Sequence, residues 1–170
     1  LGEPYKQDRQ PVEKPDGYST KTLGYARPSW IKNEYVSPPF RYRWDDTYPT
    51  LMTLKESEGD PFDGIRLQYV NPFNGGPTLP TFSCEIQLLR PNEKTRSHRH
   101  TSTTVYQAYR GRGTTVVNEE RLEWEEGDIF TVPPWNWHEH ENRRDEDSLL
   151  FSIADWPSMV SLGLYREEER

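Results

Sequence analysis

Short runs in which apolar and polar residues alternate fill the chain from about residue 65 onward. Each run is long enough for one strand and is bounded by turn residues; the clearest are IRLQYVN, TFSCEIQLLR, TTVYQAYRG, GTTVVN, ERLEWEEGD and SLLFSIAD. No helical stretch between them is long enough to connect parallel strands. We therefore predict an all-β fold in which two antiparallel sheets close into a jelly-roll barrel.

The two ends of the chain differ from this strand-rich centre. Residues 1–50 are polar and rich in proline, which predicts an extended arm or linker before a domain at 51–170. A short helix is expected near residues 51–58, and the segment from Pro157 onward predicts a short C-terminal helix or strap. Aromatic residues in the arm indicate packing on the barrel or on a neighbouring subunit, so we expect at least a homodimer.

Charge and composition narrow the choice of partners. The net charge is −7 and no stripe of Lys and Arg is present, which argues against nucleic acid. We expect no membrane segment and no signal peptide, because no apolar run approaches the roughly 18 residues of a span. Cys84 is the only cysteine, so no internal disulfide forms. These observations predict a cytoplasmic protein.

All four histidines lie in two short stretches, SHRHT and WHEHE. Residues i and i+2 of a strand point to the same face, so His98 pairs with His100 and His138 with His140. Imidazoles from two strands can converge on one divalent ion inside a barrel, and three protein ligands leave positions open for catalysis. We predict that His98, His100 and His138 hold a metal; the alternative is exposed or hydrogen-bonded core histidines.

Two motifs around these histidines resemble those of the cupin superfamily. Residues 127–142 match G-x5-P-x-G-x2-H-x3-N with its spacing intact, and only the middle glycine is replaced, by Trp135. Residues 92–111 match G-x5-H-x-H-x3,4-E-x6-G, with Asn92 at the opening glycine position and Thr104 where the family often has a glutamate ligand. The resemblance implies the cupin barrel, also called a double-stranded β-helix. It implies a metal site of three histidines without a carboxylate, as in several iron-dependent dioxygenases; the alternative is a decayed, weakly metallated site.

Residues 60–170 resemble more closely the C-terminal cupin of gentisate 1,2-dioxygenase and its relatives acting on salicylate and hydroxynaphthoate. The resemblance rests on runs such as QLLRPNEKTRSHRHTSTTVYQAYRGRG and WEEGDIFTVPPWNWHEHEN. It implies a dioxygenase that uses Fe(II), or another divalent metal, and O2 to open the ring of a hydroxylated aromatic carboxylic acid.

The same resemblance leaves other functions open. In those two-cupin enzymes the catalytic iron is generally associated with an N-terminal cupin, which would be absent from this chain. The alternative is then a non-catalytic cupin that serves oligomerisation or small-molecule binding. A third possibility is another metal-dependent activity of cupins, such as that of an isomerase or a decarboxylase.

On the dioxygenase hypothesis, three further residues are candidates by strand parity. Arg96 lies on the face of the first histidine pair and could bind the substrate carboxylate, although a solvated rim position is the alternative. Tyr106 points inward as a hydrogen-bond donor or as a core residue. His140 shares the face of His138 and could act as a base beside the metal, with a half-exposed rim position as the alternative.

Overall fold

The computed structural model of the chain describes residues 39–170, so most of the predicted N-terminal arm lies outside the described residues. Ten strands form most of its regular secondary structure, with a helix before the first strand and another before the last. In chain order the elements are α1 (Trp44–Leu54), β1 (Ile65–Tyr69), β2 (Ser83–Leu89), β3 (His98–His100), β4 (Thr104–Arg110), β5 (Arg112–Val117), β6 (Glu120–Glu125), β7 (Ile129–Val132), β8 (His138–Glu141), β9 (Ser148–Ala154), α2 (Trp156–Ser161) and β10 (Glu167–Glu169).

The strands form two five-stranded sheets, and every pairing is antiparallel. The first sheet has the order β1-β2-β9-β4-β7, and the second has the order β10-β3-β8-β5-β6. Consecutive strands lie in opposite sheets from β2 to β5 and again from β6 to β10. This double antiparallel sheet confirms the all-β fold that the alternating pattern predicted.

The interior between the sheets is apolar in one part and polar in the other. The apolar part is a cluster of buried side chains that comprises Leu89, Tyr106, Ala108, Trp124, Val132 and Leu150. The polar part holds the histidines of β3 and β8, which are buried. An interior that keeps so many polar groups from water is costly unless they are paired or bind a ligand.

Helix α1 packs against the face of the first sheet that points away from the histidines. Leu51 is fully buried there, in a cluster with Ile65, Ile86, Leu88 and Leu149. The sequence predicted an extended chain up to residue 50 and a helix near 51–58, whereas the helix occupies Trp44–Leu54. Pro49 lies inside it. Proline usually ends a helix, so the proline content of this stretch concealed the helix.

The C-terminal segment contains the predicted short helix. Pro157 is in its first turn, where proline is tolerated because the missing N–H would have no intrahelical partner. Strand β10 follows and pairs with β3, so the end of the chain lies beside the first histidine strand. Within residues 39–170, no helix has the length and the apolar character needed to cross a bilayer.

The four glycine positions of the two histidine-bearing motifs all have a positive φ. The angles are 59° at Asn92, 83° at Gly111, 95° at Gly127 and 63° at Trp135. Glycine adopts such angles freely and Asn tolerates them, whereas a bulky side chain there is strained. The motif glycines are thus explained by backbone geometry, and Trp135 is held in a strained conformation by its surroundings.

Candidate metal centre

Three imidazole rings meet where β3 lies beside β8. His98 and His138 are directly opposed in the antiparallel register, so their side chains project to the same side. Ring centroids are 4.2 Å apart for this pair, and those of His100 lie 4.9 Å from His138 and 5.6 Å from His98. One ring nitrogen of each residue lies within 4.8 Å of the other two. The structure therefore brings together the three residues that the sequence predicted as ligands.

Two of the three rings have a buried nitrogen without a protein partner. His98 Nδ1 and His138 Nε2 are buried, and neither forms a hydrogen bond with any described residue. Burial, and next the neighbouring imidazoles, lower the pKa of His98 and of His138 to about 3. The rings are therefore neutral at physiological pH. Three neutral imidazoles that each place one ring nitrogen near the other two are a donor set that suits a divalent transition metal, so these residues fit such an ion.

Hydrogen bonds at the other nitrogens fix two of the rings. The Nδ1 of His100 lies 3.0 Å from the Ser102 carbonyl oxygen and 2.9 Å from its hydroxyl. The Nδ1 of His138 lies 3.0 Å from the Asn136 carbonyl oxygen. A carbonyl can only accept, so each Nδ1 carries the proton and each Nε2 is left as the acceptor. Such bonds set the tautomer and orientation of metal-binding histidines.

A cavity of about 90 Å³ lies beside His98 and His100. A charged group forms part of its wall: Arg66 Nη1 lies 2.8 Å from Asp63 Oδ2 and 3.4 Å from Glu85 Oε2. Burial raises the pKa of Asp63 to about 6, although Arg66 opposes the shift. The cavity is smaller than the roughly 300 Å³ at which ligand pockets begin, so in this conformation it suits an ion with water rather than an aromatic ring.

Tyr106 points inward, as strand parity indicated. It borders the cavity, and its ring stacks on Phe130 with centroids 5.1 Å apart. Burial raises the pKa of its phenol far above the usual value, so the hydroxyl stays protonated and can donate a hydrogen bond. Its proposed part in catalysis stays a prediction.

His140 is fully buried and does not border the cavity. Trp124 Nε1–H donates to Thr115 Oγ1 over 3.0 Å, and the same hydroxyl lies 2.9 Å from His140 Nδ1. The Thr115 hydroxyl thus links the Trp124 indole to the His140 ring inside the barrel. The other ring nitrogen of His140, Nε2, is buried and forms no hydrogen bond with any described residue. A catalytic role of His140 stays a prediction.

Arg96 does not reach the histidines. Its guanidinium donates to the Arg170 carbonyl oxygen over 3.0 and 3.2 Å and lies 5.1 Å from the centre of the Phe62 ring. The cation at the cavity is Arg66, which was not among the site residues predicted from the sequence. Arg66 and Glu85 are charged residues at inward positions of paired strands, and this pattern was the available signal.

Several known proteins are similar to this chain in sequence and in fold. Residues 85–154 match the family model of the cupin domain. The chain is 51% identical over 158 residues to 5-aminosalicylate 1,2-dioxygenase of Comamonas sp., covering 91% of this chain and 42% of the relative. Gentisate 1,2-dioxygenase of Haloferax sp. is 38% identical, covering 98% of this chain and 49% of the relative. The crystal structure of salicylate 1,2-dioxygenase from Pseudaminobacter salicylatoxidans has a TM-score of 0.70 and 34% identity, covering 85% of this chain and 43% of that one.

The chain spans less than half the length of those three proteins. In contrast, it covers 79% of 5-nitrosalicylic acid 1,2-dioxygenase of Bradyrhizobium sp., at 27% identity over 91% of this chain. The region that matches the family model, residues 85–154, contains both histidine strands. The double sheet, the placement of the histidines on β3 and β8, and these similarities together show that residues 85–154 form a cupin domain and that the described residues have the cupin fold.

Proposed function

We propose that this chain is a metal-dependent cupin of a ring-cleaving dioxygenase, which uses O2 to open the ring of a hydroxylated aromatic carboxylic acid. Fe(II) is the metal we propose. The observation that carries the proposal is the convergence of His98, His100 and His138, whose ring nitrogens lie within 4.8 Å of one another. The names of the similar proteins, 5-aminosalicylate 1,2-dioxygenase and gentisate 1,2-dioxygenase, support the reaction class.

The residues around the histidines have separate tasks in this proposal. A bound Fe(II) ion supplies the redox chemistry that lets O2 react with an aromatic ring. The three histidines hold the ion and leave other positions around it open. The carbonyl groups of Ser102 and Asn136 keep two imidazoles oriented. The Tyr106 hydroxyl, protonated at physiological pH, donates a hydrogen bond to an oxygen atom of the substrate.

A second candidate is a non-catalytic cupin that binds metal within a larger enzyme. The size and charge of the cavity favour it: about 90 Å³ is too small for an aromatic acid, and Asp63 and Glu85 oppose the entry of an anion. For the first candidate, the cavity must widen when the substrate enters.

Metal analysis combined with oxygen uptake separates the candidates. The chain is loaded with Fe(II) without air, the bound iron is quantified, and O2 consumption is followed with gentisate, salicylate and 5-aminosalicylate. We expect one iron per chain and O2 uptake with at least one acid. Iron without uptake would favour the non-catalytic cupin or another metal-dependent activity. Failure to bind iron would contradict both candidates.

We further propose that the chain forms at least a dimer. Part of the first sheet presents apolar side chains to solvent on the face that carries α1: Ile129 is 69% exposed, Ile153 40% and Val105 39%. Burying such a patch in a second copy is favourable. Light scattering during size-exclusion chromatography tests this, and a Val105→Asp, Ile153→Asp variant should elute as a monomer.

A further inference from the structure

The C-terminal strand forms one side of the cavity beside the histidines. In the pairing of β10 with β3, Glu167 lies opposite His100 and Glu168 lies opposite Arg99. Directly opposed residues project to the same face of a sheet, so Glu167 shares the inner face with His100 and Glu168 shares the outer face with Arg99. The structure agrees: Glu167 borders the cavity, while Arg99 Nε donates to Glu168 Oε2 over 2.9 Å.

Glu167 differs from the other two carboxylates of the cavity wall. Asp63 and Glu85 share the guanidinium of Arg66, and Glu85 also accepts hydrogen bonds from Ser83 and Trp156. Glu167 forms no ion pair with any residue in 39–170. Its Oε2 accepts a hydrogen bond from the Tyr165 hydroxyl at 3.1 Å. It is therefore the carboxylate of the cavity that remains available to a cation.

We propose that Glu167 supplies the carboxylate ligand of the metal site, in place of the glutamate that the first histidine motif lacks at Thr104. This inference rests on the proposed function. Thr104 and Glu167 border the same cavity from different strands, β4 and β10. A carboxylate delivered from β10 thus enters the same space as one delivered from position 104.

Charge gives the physical reason for a fourth ligand. Three neutral imidazoles leave the full double charge of the ion inside the protein, and a buried ion is costly unless opposite charge accompanies it. Among the described residues, the group that converges within 4.8 Å contains only the three histidines, so Glu167 must turn about its side-chain bonds. Glu167 is exposed, and no ion pair with a residue in 39–170 restrains its side chain.

Cobalt binding to matched variants tests the inference. Co(II) affinity is measured by competition with a coloured chelator for the wild-type chain, Glu167→Gln and Glu168→Gln. Both substitutions remove one negative charge from the same strand, but only the first removes an inward carboxylate. We expect Glu167→Gln to weaken binding about tenfold to hundredfold, as loss of groups around a metal commonly does, and Glu168→Gln to bind as wild type.

Two further measurements accompany the affinities. The visible absorption of bound Co(II), which reports its coordination, should change in Glu167→Gln and not in Glu168→Gln. Hydrogen exchange of the wild-type chain should show that Co(II) slows exchange of the β10 amides. Equal affinities and spectra for the two variants, or no protection of β10, would overturn the inference. In either case cobalt still bound by the wild-type chain would leave the proposed function intact, whereas absence of binding would refute both.

Discussion

His98 and His138 face each other directly across two antiparallel strands, with ring centroids 4.2 Å apart. Each presents a buried ring nitrogen that no described residue satisfies. Burying two such groups together costs stability, and each unsatisfied group typically costs about 1–3 kcal/mol. These unsatisfied nitrogens therefore lower the stability of the metal-free fold.

Replacing His138 with Gln should abolish metal binding, whereas replacing His140 with Gln should preserve one metal per chain. The two residues lie on the same face of β8, but only the first has a nitrogen directed at the other two histidines. Elemental analysis after loading with Fe(II) gives the stoichiometry, and thermal unfolding of both variants controls for folding. Loss of metal in both variants would show that His140 is itself a ligand.

The free energy of unfolding should fall as the pH is lowered from about 6.5 toward 3. The pKa values of His98, His138 and His140 lie near 3 in the folded chain and near 6.5 when unfolded, so the unfolded state binds more protons in this range. Each group contributes up to about 1.4 kcal/mol per pH unit. Asp63 acts oppositely, because its folded pKa of about 6 exceeds the ordinary value, but one carboxyl does not offset three imidazoles.

Urea unfolding of the metal-free chain at pH 7 and pH 5 measures this effect. The His140→Gln variant should lose part of the dependence on pH, because one of the buried imidazoles is removed. A free energy that does not change between these pH values would contradict the neutral state assigned to the buried histidines.

Removing the Thr115 hydroxyl should destabilise the fold by about 1–3 kcal/mol. Thr115→Val leaves the Trp124 N–H without its acceptor and His140 Nδ1 without its hydrogen-bond partner, both inside the barrel. Thr115→Ser keeps the hydroxyl and should lose much less stability. Chemical denaturation of the two variants measures both losses, and equal losses would contradict the prediction, because they would show that the methyl group contributes as much as the hydroxyl.

Arg66→Met should destabilise the chain by about 2 kcal/mol, since it leaves the buried carboxylates of Asp63 and Glu85 without their cation. The loss is smaller than for a fully buried pair because the Arg66 side chain is 45% exposed. Adding Asp63→Asn should restore part of the stability. A double-mutant cycle by denaturation gives the coupling, and additive effects would refute the pairing.

The parts of the molecule that the sequence predicted well are those that depend on local periodicity. Alternation along β4 buries Thr104, Tyr106 and Ala108 and leaves the residues between them exposed, so its inward face could be assigned without a structure. The same rule placed His98 and His100 side by side. Helix α1 was misplaced because Leu51 is buried by long-range packing on the sheet, which local periodicity does not contain.

Contacts between distant segments account for what was missed at the site. Strand parity put Arg96 on the histidine face, but Arg96 precedes β3 and its guanidinium is bound by the backbone of Arg170. Arg66 and Glu167 lie far from the histidines in sequence, and only the closure of the two sheets brings them to one cavity. Parity gives the side of a strand on which a residue lies, whereas the neighbours of that residue depend on sheet order.

The strained backbone at Trp135 has a mechanical consequence. Its N–H donates to the His100 carbonyl oxygen over 2.7 Å, and its ring lies 4.4 Å from the Arg99 guanidinium. The turn before β8 is thus linked by a hydrogen bond and a ring contact to β3, which carries His98 and His100. When the barrel fluctuates, the turn and β3 should move as one rigid body, so the distances among the three imidazoles are preserved.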